Sequence, residues 1–144
     1  KETVLYLKSK GYRVDGIGWQ GHLMNNQGLK QLVENLDEEL KKLSDLIDWA
    51  HSNNLEFHIT ELDYYNDGEN NIFNSVEKQA EVYQKLMNLS QEKSKNGLVT
   101  VNFWSMGERK SNRGKKGHYM SIYDNDTIPT KTYEVVKKFI NFNQ

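Results

Sequence analysis

Apolar residues Leu29, Leu32, Val33, Leu36, Leu40, Leu43, Ile47 and Ala50 recur at steps of three and four, the spacing of one face of an amphipathic helix. The pattern predicts helix over 29–53. Asn35 followed by Glu38 has the spacing of a capping box, so a second helix can start there. Val4, Leu5 and Leu7 among charged residues, ending at Gly11, predict a first helix closed by a glycine cap. Val76, Tyr83, Leu86 and Leu89 predict a helix over 76–95, with Asn74 and Glu77 placed to cap it. After Pro129 and Thr130, a last helix turns Tyr133, Val136, Phe139 and Ile140 inward.

Three stretches between the helices have strand character: 13–23, 57–63 and 98–104. Strict alternation puts Phe57, Ile59, Glu61 and Asp63 on one face of the second stretch and His58, Thr60 and Leu62 on the other. One face then passes from apolar to acidic at the carboxyl end, where α/β folds keep their chemistry. By the same parity Gln20 and His22 share a face, as do Asn102 and Trp104. Strands separated by helices imply right-handed crossovers and a parallel sheet. A closed eightfold barrel takes roughly 250 residues, so this α/β chain corresponds to half a barrel or to a small open sheet.

The 144 residues suit one domain, and 36% hydrophobic with 27% charged residues is a globular composition. A formal net charge of -1 provides no global field for nucleic acid or an anionic membrane. A neutral polysaccharide needs none. The absence of cysteine removes disulfides and thiolate chemistry. No apolar run reaches membrane-spanning length, and an export signal, if there is one, is expected outside these residues. His22, His51, His58 and His118 lack zinc-ligand spacing, Asp124-Asn125-Asp126 lacks the rest of a calcium loop, and there is no phosphate-binding glycine loop. No metal or cofactor is expected. The polar stretch 64–74 and the basic stretch 107–118 read as solvated loops.

Taken singly, His22 reads as well as a core histidine, Asp63 as a turn cap and Trp104 as packing. Together they gather a carboxylate, an imidazole and a flat aromatic face at the ends of three successive strands. Attack on an anomeric carbon needs a carboxylate fixed in direction, which a neighbouring imidazole supplies through a hydrogen bond. A tryptophan face suits the CH-rich side of a pyranose.

Asp15-Gly16-Ile17-Gly18-Trp19-Gln20-Gly21-His22-Leu23, then Ile59-Thr60-Glu61-Leu62-Asp63, then Val101-Asn102-Phe103-Trp104, in that order, resemble the sixth, seventh and eighth strands of glycoside hydrolase family 10 xylanases. Tyr123-Asp124-Asn125-Asp126 and Pro129-Thr130-Lys131-Thr132-Tyr133 are similar to that family's approach to its last helix, with Thr132 in place of a second proline. The resemblance implies a partial (β/α)8 TIM barrel of about three to four βα units, residues 1–144 being the carboxyl-terminal half of the catalytic domain. It implies an extracellular retaining endo-1,4-beta-xylanase acting on xylan or xylooligosaccharide. Glu61 takes the place of the nucleophile, His22 and Asp63 of the residues that orient it, and Gln20 and Trp104 of residues shaping the sugar cleft.

Two departures stand out. The stretch Gly107-Glu108-Arg109-Lys110-Ser111-Asn112-Arg113 has no aromatic residue where family members carry a tryptophan. The family's proton donor follows an asparagine at the end of the fourth strand, and no such pair lies on a strand here. Glu69 and Glu108 fall in loops. The expectation is therefore a chain completed by the amino-terminal half of the barrel, or self-associated over two open sheet edges and an apolar inner layer. Alone it is expected to be inactive. The alternative is a non-catalytic xylan-binding fragment or pseudoenzyme that keeps the cleft residues.

Overall fold

A computed structural model describes residues 1–23, 27–64, 75–104, 122–123 and 128–141. Of the loop expected over 64–74, Tyr64 ends a strand and the rest lies outside the described residues, as do the basic loop 107–118, Glu69 and Glu108. Helix α1 (Glu2–Ser9) ends at Gly11, whose φ of 79° is open to glycine at little cost. The Gly11 N–H donates to Lys8 O at 3.0 Å and the Tyr12 N–H to Leu7 O at 3.1 Å, the paired bonds of a Schellman close. The first strand comes as two pieces, β1 (Gly16–Trp19) and β2 (His22–Leu23). Helices α2 (Gln27–Glu34) and α3 (Leu36–Ser52) then divide at Asn35. There the Asn35 side chain donates back to Gln31 O at 3.1 Å, without closing a capping box.

Strand β3 (Glu56–Tyr64) is central, with β1 and β2 along one side and β4 (Val99–Phe103) along the other, all parallel. Helix α4 (Val76–Lys93) is capped by Ser75, whose hydroxyl accepts from the Lys78 N–H at 3.1 Å. Ser75 thus takes the position expected of Asn74. In α5 (Lys131–Asn141) Val136 is buried, but Ile140 is exposed and Thr132 takes an inward place. The Thr132 hydroxyl donates to Gln79 Oε1, and Gln79 Nε2 donates to Tyr64 O, so these two buried side chains are paired.

The helices cover one face of the sheet. Ile47 and Ala50 of α3 and Val82, Tyr83 and Leu86 of α4 form one core with Phe57, Ile59, Leu62 and Tyr64 of β3. This overturns strict alternation along β3. Its partners shift register between Ile59 and Leu62: Ile59 stands opposite Val101 and Leu62 opposite Phe103, so Thr60 and Glu61 together face Asn102. The same shift appears on the other side, where Trp19 pairs with Ile59 but His22 with Asp63. An extra residue in one strand is a β-bulge, and it reverses parity beyond it. Phe57 and Ile59 therefore share the helix-covered face with Leu62, not with Glu61 and Asp63.

The opposite face is polar. A Cβ added to Gly16 would meet His58, and one added to Gly18 would meet Thr60. His58 lies 2.8 Å from Thr100 Oγ1 through Nδ1 and 3.2 Å from Glu56 Oε2 through Nε2. The apolar inner layer expected from the resemblance to a barrel is absent among the described residues, because alternation places glycine, histidine and threonine there.

Candidate active site

Every sequence-selected residue except Trp104, which directly follows β4, lies on β2, on β3 or in the gap between β1 and β2. The break in the first strand frees Gln20 from the ladder, and the bulge turns Glu61 toward it. Gln20 Nε2 donates to Glu61 Oε1 at 3.0 Å. His22 Nε2 lies 2.7 Å from Glu61 Oε2, and its Nδ1 lies 3.0 Å from Asp63 Oδ2. Both carboxylate oxygens of Glu61 are thus engaged, and the His22 ring is held at both nitrogens. The Trp104 and His22 rings stand perpendicular with centroids 5.4 Å apart.

The electrostatics follow from burial. Desolvation acts to lower the His22 pKa, but hydrogen bonds to Asp63 and Glu61 outweigh it and hold the ring above its ordinary 6.5. Asp63 is almost wholly buried, and desolvation lifts its carboxyl above 3.8 against the pull of His22. A ring that faces two carboxylates donates to both only as imidazolium. Chemically, the cluster fixes one carboxylate in direction beside an open aromatic face. Among the described residues no group of three or more His, Asp or Glu side chains is placed to hold a metal ion.

Sequence reasoning passed over Thr60, whose hydroxyl donates to Trp19 O at 3.2 Å beside the bulge. The signal was present: the apolar residues of β3 fall at 57 and 59, then at 62 and 64, a phase slip of one residue at Thr60-Glu61.

The profile of Glycosyl hydrolase family 10 matches residues 1–139. The chain is 32% identical over 108 residues to endo-1,4-beta-xylanase A of Thermoanaerobacterium saccharolyticum, covering 74% of this chain and 8% of that one. It is 28% identical over 153 aligned positions to the beta-1,4-xylanase of Dictyoglomus thermophilum, covering 96% of this chain and 40% of that one. The crystal structure of xylanase 10B from Thermotoga petrophila RKU-1 in complex with xylobiose matches with a TM-score of 0.62 at 23% identity, over 99% of this chain and 41% of that one. The chain spans less than half the length of these relatives. Its parallel βα units are part of a (β/α)8 barrel.

Proposed function

The chain belongs to glycosyl hydrolase family 10, and on that footing we propose that it forms the nucleophile side of a retaining endo-1,4-beta-xylanase, the carboxyl-terminal half of its catalytic domain. Glu61 attacks the anomeric carbon of a bound xylosyl unit, forming a glycosyl ester as the bond to the leaving oxygen breaks. His22, backed by Asp63, and Gln20 hold the carboxylate in line, and Trp104 offers its face to the sugar. The acid that protonates the leaving oxygen, and then acts as base toward water, comes from the amino-terminal half of the barrel. In this reading the substrate is xylan or a xylooligosaccharide, and the protein acts outside the cell.

The observation that carries this reading is the two-sided grip on Glu61, with Gln20 at 3.0 Å on one oxygen and His22 at 2.7 Å on the other. The test is covalent trapping by a fluorinated xylobioside with a dinitrophenolate leaving group, which departs without a proton donor. The chain is treated alone and together with the amino-terminal strands of a family relative. A glycosyl adduct on the peptide containing Glu61, absent from Glu61→Gln, is expected in the assembled protein. No adduct in either mixture, or one on another residue, overturns the reading.

A further inference from the structure

The strand bearing Glu61 loses its regular ladder at that residue. The Glu56 N–H donates to Asp15 O at 2.8 Å, but the Asp63 N–H donates to Gly21 O at 3.3 Å, one residue further along β3 than the first register gives. A bulged residue is not aimed by the ladder, so its side-chain direction depends on what else ties down the backbone beside it. Here that tie is a side chain. Thr60 Oγ1 donates to Trp19 O, the last carbonyl of β1, at 3.2 Å. Its other branch rests against Gly18, where an added Cβ would lie 3.0 Å from Thr60 Cγ2.

We propose that Thr60 is a positioning residue for Glu61: its hydroxyl, bonded to Trp19 O while its methyl sits over the bare Cα of Gly18, pins the bulge to β1 and so sets the direction in which the carboxylate meets Gln20 and His22. The hydroxyl is the branch that the role requires, and the methyl assists it. The hydroxyl supplies the bond, and the β-branched methyl, lying on Gly18, leaves few rotamers in which that bond can be lost. A purely packing role would favour valine, which has the same shape and no polar atom. The inference deepens the reading of Glu61 as nucleophile but rests on separate contacts.

Imidazole titration of His22 by NMR in the intact 144-residue chain tests it, with His22→Gln assigning the resonance. Glu61 is one of the two groups that hold the His22 pKa above its ordinary value, so turning Glu61 away lowers the midpoint. Thr60→Val is expected to lower it and Thr60→Ser to keep it. Gly18→Ala, which crowds the methyl off its seat, is expected to lower it as well. Adding Thr60→Ser to Gly18→Ala removes the crowded methyl and restores the midpoint. In the barrel assembled with its amino-terminal half, Thr60→Val is expected to lower kcat roughly ten- to a hundredfold with KM little changed, the signature of a misaligned reacting group.

A Thr60→Val midpoint equal to that of the unsubstituted chain overturns the proposal. Should Thr60→Val fail to fold, a Gly18→Ala effect that Thr60→Ser does not reverse overturns it equally. The two readings separate cleanly. Trapping on Glu61 with no movement of His22 refutes the positioning role alone, and movement of His22 without trapping refutes the nucleophile alone.

Discussion

His22 and Trp104 meet with ring planes at 89°, although His22 lies on β2 and Trp104 directly follows β4, strands that flank β3 on opposite sides. The contact spans the tip of the strand that carries Glu61 and leaves Trp104 with 51% of its surface exposed. A perpendicular ring partner fixes the tilt of the indole, and under the proposed function its exposed part meets the sugar. Replacing Trp104 by alanine in the assembled enzyme is expected to weaken xylobiose binding roughly tenfold, about 1.4 kcal/mol, with Trp104→Phe keeping most of it. Calorimetric titration with xylobiose measures this, and equal affinity in Trp104→Ala would remove the indole from the sugar site.

The two shifted pKa values act on stability in the same direction. His22 is raised in the fold because its hydrogen bonds to Asp63 and Glu61 outweigh desolvation, so its stabilisation is fully present below the ordinary 6.5 and disappears as pH rises through the folded value. Asp63 is raised by burial, so folding favours its neutral form, and its contribution likewise falls as pH climbs from 3.8 through the folded value. The stability gap between the unsubstituted chain and His22→Gln is therefore expected to be widest in acid and to close above the His22 midpoint. Urea midpoints at stepped pH give the answer, and a gap that widens with pH contradicts the assignment.

The bulge makes a packing prediction. Strict alternation would leave Leu62 on the polar face, whereas the structure buries it to 1% exposure beside Ile59. A Cβ on Gly21 would touch both, at 3.2 Å from Leu62 and 3.3 Å from Ile59. Leu62→Ala is expected to cost about 2–5 kcal/mol, as a buried leucine does. A loss under about 1 kcal/mol in denaturant melts would return Leu62 to the other face.

Much of this arrangement was legible because helices and parallel strands repeat their hydrophobic periods over many residues. Ile47, Ala50 and Leu43 of α3 are buried as their spacing requires, and the break at Asn35 falls where the cap residue stands. What escaped depends on single residues. A bulge changes the meaning of parity at one position, and only the slip from Ile59 to Leu62 in the apolar series records it. Ser75 displaced Asn74 as cap because N-cap residues differ little in preference and the local backbone decides. Ile140 lies outward while Thr132 is buried, since Gln79 offered a hydrogen bond that periodicity cannot register. Gln20, His22, Glu61, Asp63 and Trp104 were recognisable together because strand ends bring together residues that are distant in sequence.

The start of α4 offers a local check. The Ser75 side chain accepts from the Lys78 N–H, one of the donors that a helix start leaves unpaired. Ser75→Ala is expected to cost about 1 kcal/mol, and Ser75→Asp to recover most of it. Thermal melts of the three proteins decide this, and an unchanged midpoint in Ser75→Ala would show that the cap contributes nothing.

The last prediction concerns the reaction itself. Retaining hydrolysis of an unactivated glycoside needs a second carboxyl group roughly 5 to 5.5 Å from the nucleophile, acting as acid and then as base. Glu61 has Asp63 nearby through His22, but Asp63 is almost fully buried and faces the ring, so it cannot protonate a leaving group in the cleft. Xylohexaose, whose leaving group is a poor alkoxide, therefore is expected to survive incubation with the 144-residue chain alone. Addition of the amino-terminal half of a family barrel is expected to start its hydrolysis, and Glu61→Gln to stop it again. Turnover of xylohexaose by the purified chain without that addition, lost in Glu61→Gln, would mean that the proton donor lies within these residues.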